Sequence, residues 1–198
     1  MFPARMHVLS ASGFPVPSSW SSLSLESACD AESRSLHFSM CIDPVRLAAL
    51  RRLQILDSSP ERAFDDFTRL LSSQFEVPIA MVNLLDEKRD FFKSRIGSPV
   101  TESPAATSFC EAFFDSADDL IVVEDTPADA RFVGHPLVAG EPFVRFYAAA
   151  RLAVDGQTLG TICAYDLKLH AVSVEQVGYL RTLATAAVSA IRQRPVLQ

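Results

Sequence analysis

Apolar positions begin to recur with a regular period only after Asp43. Leu47, Leu50, Leu53 and Leu56 return every three residues, which predicts an amphipathic helix over 44–56. Asp43-Pro44 supplies an N-cap followed by proline at the first helical position. Asp57-Ser58-Ser59-Pro60 breaks that helix, and Ser59-Pro60 starts a second one with Phe64, Phe67, Leu70, Leu71 and Phe75 on one face. The period then changes. Ile79 to Leu85 is almost wholly apolar, as expected of a central strand covered on both faces. Asp86-Glu87-Lys88 turns the chain, and Arg89 to Ile96 returns as the second strand of a hairpin. Residues 97–104 read as a loop, and a short helix is expected from Thr107 or Ser108.

Leu120 to Val123 predicts a third strand. Thr126 to Gly140 is a long irregular connection, the kind of segment that often carries function. Phe143 to Val154 and Gln157 to Tyr165 form a hairpin around Asp155-Gly156. Ser173 N-caps a last helix with an apolar stripe of Val174, Val177, Leu180, Leu183, Ala184, Ala187, Val188 and Ile191. Helices, hairpins and a closing helix predict an α+β fold with an antiparallel sheet. The helices at 44–75 and 173–192 would cover one face. Loops and the short helix would cover the other, leaving a cavity between, a usual place for a small ligand.

Residues 1–39 lack this periodicity and hold eleven serines with Pro3, Pro15 and Pro17. They read as a disordered tail preceding a domain over 40–198, because such a segment buries too little surface to offset its ordering entropy. The net charge of −6 argues against a nucleic-acid surface. No apolar run approaches membrane-spanning length, and the N-terminus has no signal-peptide core. A cytoplasmic protein with reduced thiols is expected. The four cysteines, Cys29, Cys41, Cys110 and Cys163, form no C-x-x-C pair and do not cluster with histidines, so neither zinc nor another cofactor is expected.

The runs RLAALRRLQILDSSPERAFDDFTRLL, VPIAMVNLLDEKRDFFKSRIG, SFC, ADARFVGHPLV, VRFYAAARL and LGTICAYD, taken in order, resemble GAF domains. The likeness runs from Asp43 to Gln193 and is greatest to the subclass found in bacterial histidine kinases and diguanylate cyclases. It implies a GAF-like central antiparallel sheet of five or six strands, a ligand-sized pocket, and dimerisation through terminal helices. Two departures stand out. Gly134-His135 precedes Pro136 where similar proteins have Asn, and Arg151 replaces a proline in the strand after Phe146-Tyr147. The cyclic-nucleotide signature of some GAF domains is absent. Glu111 follows Cys110 where bilin-binding members have His.

Several residues are candidates for a site. Cys110, beside Phe109 in a short apolar segment, reads as a pocket wall; the sharper alternative is a nucleophile with Cys163 as resolving partner. Arg131, Phe132 and His135 lie in the long connection and could reach a polar ligand from a lid. Arg145 and Tyr147 share one strand face with Ala149, placed toward the pocket. Asp86, Glu87 and Asp90 read as carboxylates of a charged hairpin turn. No phosphate-binding glycine loop or nucleophile elbow occurs. The expected function is a sensory module that binds a small molecule, dimerises, or both, without catalysis of its own. Because the chain ends at Gln198, just after Arg194-Pro195 stops the last helix, output is expected from a separate protein, unless the sequence is a fragment of a sensor. The alternatives are a cysteine-dependent reductase of free methionine sulfoxide and a purely structural dimerisation module.

Overall fold

The computed structural model describes residues 42–114 and 116–195. The expected tail over 1–39 lies outside the described residues. Helix α1 (Pro44–Arg52) begins as its sequence requires: the Asp43 carboxylate accepts from the N–H groups of Val45 at 2.6 Å and Arg46 at 3.2 Å. It stops four residues short of the expected end, because Gln54 and Asp57 take positive φ values of 48° and 58°. Helix α2 (Arg62–Phe75) starts two residues later than Pro60. The reason is tertiary. The buried Lys93 ammonium draws in Ser58, Ser59 and Glu61, and Glu61 also binds Arg194. A charge with no access to water needs such partners.

Six antiparallel strands follow: β1 (Ile79–Leu85), β2 (Arg89–Ile96), β3 (Glu102–Pro104), β4 (Leu120–Val123), β5 (Phe146–Val154) and β6 (Gln157–Asp166). The sheet order is β3-β2-β1-β6-β5-β4. β3 falls where the sequence predicts a loop. It pairs only with Arg89–Phe91, and three residues are too few to show an alternation. β5 starts at Phe146 rather than Phe143, since Phe143 has φ 59° and an exposed ring. The long connection contains helix α3 (Pro136–Ala139), and the chain closes with α4 (Val174–Gln193). α4 opens with a capping box between Ser173 and Gln176.

The two faces of the sheet carry different cores. On one, Ala80, Val82, Leu84, Phe146, Ala148, Ala150, Ile162 and Ala164 pack against Leu50, Phe64, Leu71, Phe75, Leu180, Leu183 and Ala187. Most of the apolar stripe of α4 is spent there: Leu180 is fully buried. Its outward row is Gly178, Thr182, Thr185 and Ser189, while Val174 at its start is exposed. On the other face, Met81, Tyr147, Ala149, Cys163 and Tyr165 meet a cap built from residues 105–114 and 126–144. A register shift at Val82/Asn83, opposite Ser94 and Phe92, marks a bulge in β2. It turns both Lys93 and Ser94 toward the helices, where Ser94 bonds Thr68 and Asp65.

Gly160 in β6 lies against β1 so closely that a Cβ there would stand 2.0 Å from the Asn83 carbonyl oxygen. Gly160→Ala is therefore expected to cost at least about 2 kcal/mol, because the obstacle is backbone that cannot yield. Urea unfolding measures it, and a wild-type midpoint would refute the tight β1–β6 approach.

Candidate functional site

The cap is held over the sheet by short pieces of structure. Two 3-10 turns, Ala105–Thr107 and Phe109–Phe113, flank Ser108, whose hydroxyl accepts from the Cys110 N–H at 3.2 Å. The expected single helix is thus a pair of tighter turns. His135 takes over the work of the missing Asn: its Nδ1 accepts from the Leu137 N–H at 3.2 Å and so caps α3. Arg151, the other departure, fastens the far end of the cap. It donates to the carbonyls of Ser116 and Asp118, each at 2.7 Å, and lies 5.4 Å from the Phe113 ring centroid.

Phe109 is the centre of the interior. Its ring centroid lies 4.0 Å from that of His135, 4.9 Å from Tyr147, 5.1 Å from Phe132 and 5.3 Å from Tyr165. These rings fill the space expected to hold a ligand. What remains is a cavity of about 20 Å³, walled by Met81, Asp90, Phe92, Phe109, Ser108 and Tyr165 among others. That is room for one water-sized group, far below the several hundred Å³ of a typical ligand pocket.

A chain of buried polar groups runs through this apolar interior. Asn83 Nδ2 donates to both oxygens of Asp90, at 2.8 and 2.7 Å, and to Cys110 Sγ at 3.0 Å. Its Oδ1 accepts from Thr161 at 2.7 Å and from the Cys163 thiol at 3.6 Å. Ser108 donates to Asp90 at 2.6 Å. Tyr147, fully buried, points its hydroxyl toward Thr161 without reaching hydrogen-bond geometry.

Of the residues singled out from sequence, Phe109, Cys110, Phe132 and Tyr147 are buried together, with His135 against them. Arg131 and Arg145 stand apart. Arg131 forks onto Asp129 at 2.9 and 2.6 Å, and Arg145 binds Asp125 at the entry to β5. The Arg131 guanidinium holds the Asp129 carboxyl below its ordinary range. Asn83, Asp90, Ser108, Thr161 and Tyr165 complete the interior and were not anticipated. Asp90 is a member of β2 and 3% exposed, not part of a solvated turn. One signal was available: Asn83 is the single polar residue in the run Ile79–Leu85.

The chemistry of these groups is set by burial. Burial raises the Cys110 thiol well above its usual range, and the nearby Asp90 charge adds to the rise. Cys163 is pushed up to about 12, again by burial first. Both thiols are neutral at physiological pH, the opposite of an activated nucleophile. Burial likewise lifts Asp90 from 3.8 to about 6, although Ser108 and Asn83 pull it down.

A GAF domain family model matches residues 59–191. The chain belongs to the GAF domain family. Among curated proteins it is 35% identical over 122 residues to the cyclic di-GMP phosphodiesterase PA2567 of Pseudomonas aeruginosa. That match covers 61% of this chain but only 21% of the relative. Among solved structures, the GAF domain from Acinetobacter phosphoenolpyruvate-protein phosphotransferase superposes with a TM-score of 0.56 at 17% identity, covering 76% of this chain and 95% of that one. The type II free methionine-R-sulfoxide reductase from Thermoplasma acidophilum superposes at 0.52 with 13% identity, over 67% and 94% of the two chains. Likeness at this level establishes the six-stranded GAF fold alone. Among the described residues, no helix is long and apolar enough to cross a membrane.

Two measurements test this electrostatic picture. Asp90 favours the fold when protonated, so its contribution is complete below about pH 4 and fades as pH rises through about 6. Asp90→Asn should remove that dependence. The variant is expected to gain about 3 kcal/mol on wild type between pH 4 and pH 8, read as the difference between two urea-stability curves. Glu61, which Lys93 and Arg194 hold low against the opposing effect of burial, stays ionised over most of that window and is common to both proteins. Parallel curves would mean that Asp90 is ionised at no cost. The second measurement is thiol labelling. Cys110 and Cys163 should resist iodoacetamide in native protein at pH 8 and react in urea, as read by peptide mapping; native labelling of Cys110 would revive the nucleophile.

Proposed function

We propose that this GAF domain is a regulatory, non-catalytic module of bacterial signalling whose signal-receiving part is the capped interior. The observation that carries this reading is the filled pocket: Phe109, Phe132, Tyr147 and Tyr165 occupy the space between sheet and cap. A sizeable ligand gains entry only by displacing Phe109 and Phe132, both of which belong to the cap. Occupancy and cap position are thereby the same event, which is what a sensor requires. The raised thiols support the absence of catalysis. They weigh against the reductase chemistry named for one structural neighbour. The relative from Pseudomonas aeruginosa is a cyclic di-GMP phosphodiesterase, and this chain corresponds to about a fifth of it. That proportion supports a role beside an output activity rather than the activity itself.

The 20 Å³ cavity favours a second reading, a structural module whose pocket stays closed. Hydrogen exchange separates the two. For a sensor, residues 105–114 and 126–144 should exchange faster than β1, β5 and β6, and a compound that raises the melting temperature in a metabolite screen should slow exchange in those segments. A cap that exchanges as slowly as the central strands, with no stabilising compound, would establish the structural module.

A further inference from the structure

We propose that the small cavity beside Asp90 is a subsite for a primary ammonium group. This rests on the reading of the interior as the signal-receiving part and names the chemistry it would take. Asp90 is the only charged residue among those lining the cavity. Its carboxylate is bonded only to the neutral groups of Asn83 and Ser108, and among the described residues no Lys, Arg or His forms an ion pair with it. By contrast, the buried Lys93 is matched by Glu61, and the half-buried Arg89 by Asp57 and Glu102. Asp90 has no such counter-ion, and fully buried charges without one are rare. The cavity supplies the place for one.

The walls narrow the choice of cation. Phe92, Phe109 and Tyr165 line the same cavity and offer aromatic surface, which attracts ammonium groups. Ser103 and Thr107 add hydroxyl oxygens. Close by, the Tyr147 hydroxyl is buried without a partner and faces the same polar chain. The volume of about 20 Å³ admits an ammonium or methylammonium head and excludes a quaternary one. Val100, Ser103 and Thr107 are partly exposed, so the stem of an alkylammonium ligand would leave between them. The neighbouring Cys110, Cys163, Tyr147 and Tyr165 are kept neutral by burial and compete for no cation.

The test is thermal unfolding at pH 7.5 in methylammonium chloride, sodium chloride, potassium chloride or tetramethylammonium chloride at equal ionic strength. Methylammonium is expected to raise the wild-type melting temperature by about 2–4 °C over sodium at saturating concentration. Asp90→Asn should abolish the excess. Ser103→Leu, which blocks the mouth from a partly exposed position, should abolish it without touching the buried network. The proposal is overturned if methylammonium gives no excess over sodium. It is equally overturned if potassium or tetramethylammonium matches it, or if both variants keep the full shift. Should methylammonium fail while another compound still slows exchange in the cap, the subsite falls and the sensory reading stands.

Discussion

One amide side chain organises the interior of this domain. Asn83 sits in the middle of the central strand, 1% exposed and shielded from bulk solvent. Its carboxamide must find every partner within the protein, since an unmet buried polar group costs about 1–3 kcal/mol. It finds them on three different elements. Asp90 lies on β2, Thr161 and Cys163 on β6, and Cys110 in the cap. Satisfying Asn83 thus fixes the spacing of two strand pairings and pins the cap through one atom group. The bulge at Val82/Asn83 is part of the same solution. It leaves Asp90 and Phe92 on the cap side while sending Lys93 and Ser94 to the helix side.

That arrangement divides the domain energetically. The helix side is closed by aliphatic and aromatic contacts among long elements, each with its own backbone ladder. The cap side is closed by short 3-10 turns, a one-turn helix and side-chain bonds. Elements with few internal hydrogen bonds open at lower free energy than ladders do. Local opening is therefore expected to concentrate on the side that contains the cavity, with the scaffold beneath left intact.

The parts of this structure legible in the sequence are those set by local rules. Asp43 and Ser173 announce their helices because a cap bond spans two or three residues. β1, β5 and β6 announce themselves because they are buried along most of their length and so read as apolar runs. What escaped depends on distant partners. The start of α2 is set by Lys93 and Arg194, which lie far along the chain from Glu61. The burial of Asp90 depends on Asn83 and Ser108, so beside Glu87 and Asp86 it looks like one more turn carboxylate. Arg145 and Tyr147 are two residues apart on one side of the chain. Yet Arg145 precedes the strand and turns to Asp125, because the sheet ladder begins only at Phe146. Periodicity predicts a face; it does not say where the face begins.

The same geometry decides which part yields when the interior is disturbed. Phe146 and Tyr147 are neighbours on β5 with opposite duties: Phe146 packs on Phe75 and His170, Tyr147 on Phe109 and Phe132. A push on the Tyr147 ring can be absorbed by β5 or by the cap. β5 is held along its length by β6 and along part of it by β4. Moving it would break ladder bonds and repack the helix side at once. Moving the cap costs the ring contacts of Phe109 and the bonds of Cys110 and Ser108, all confined to one short segment. The cap is therefore the part expected to yield, and that yielding should end at Asp90 and Asn83, where the buried bonds that position it also connect it to β1, β2 and β6.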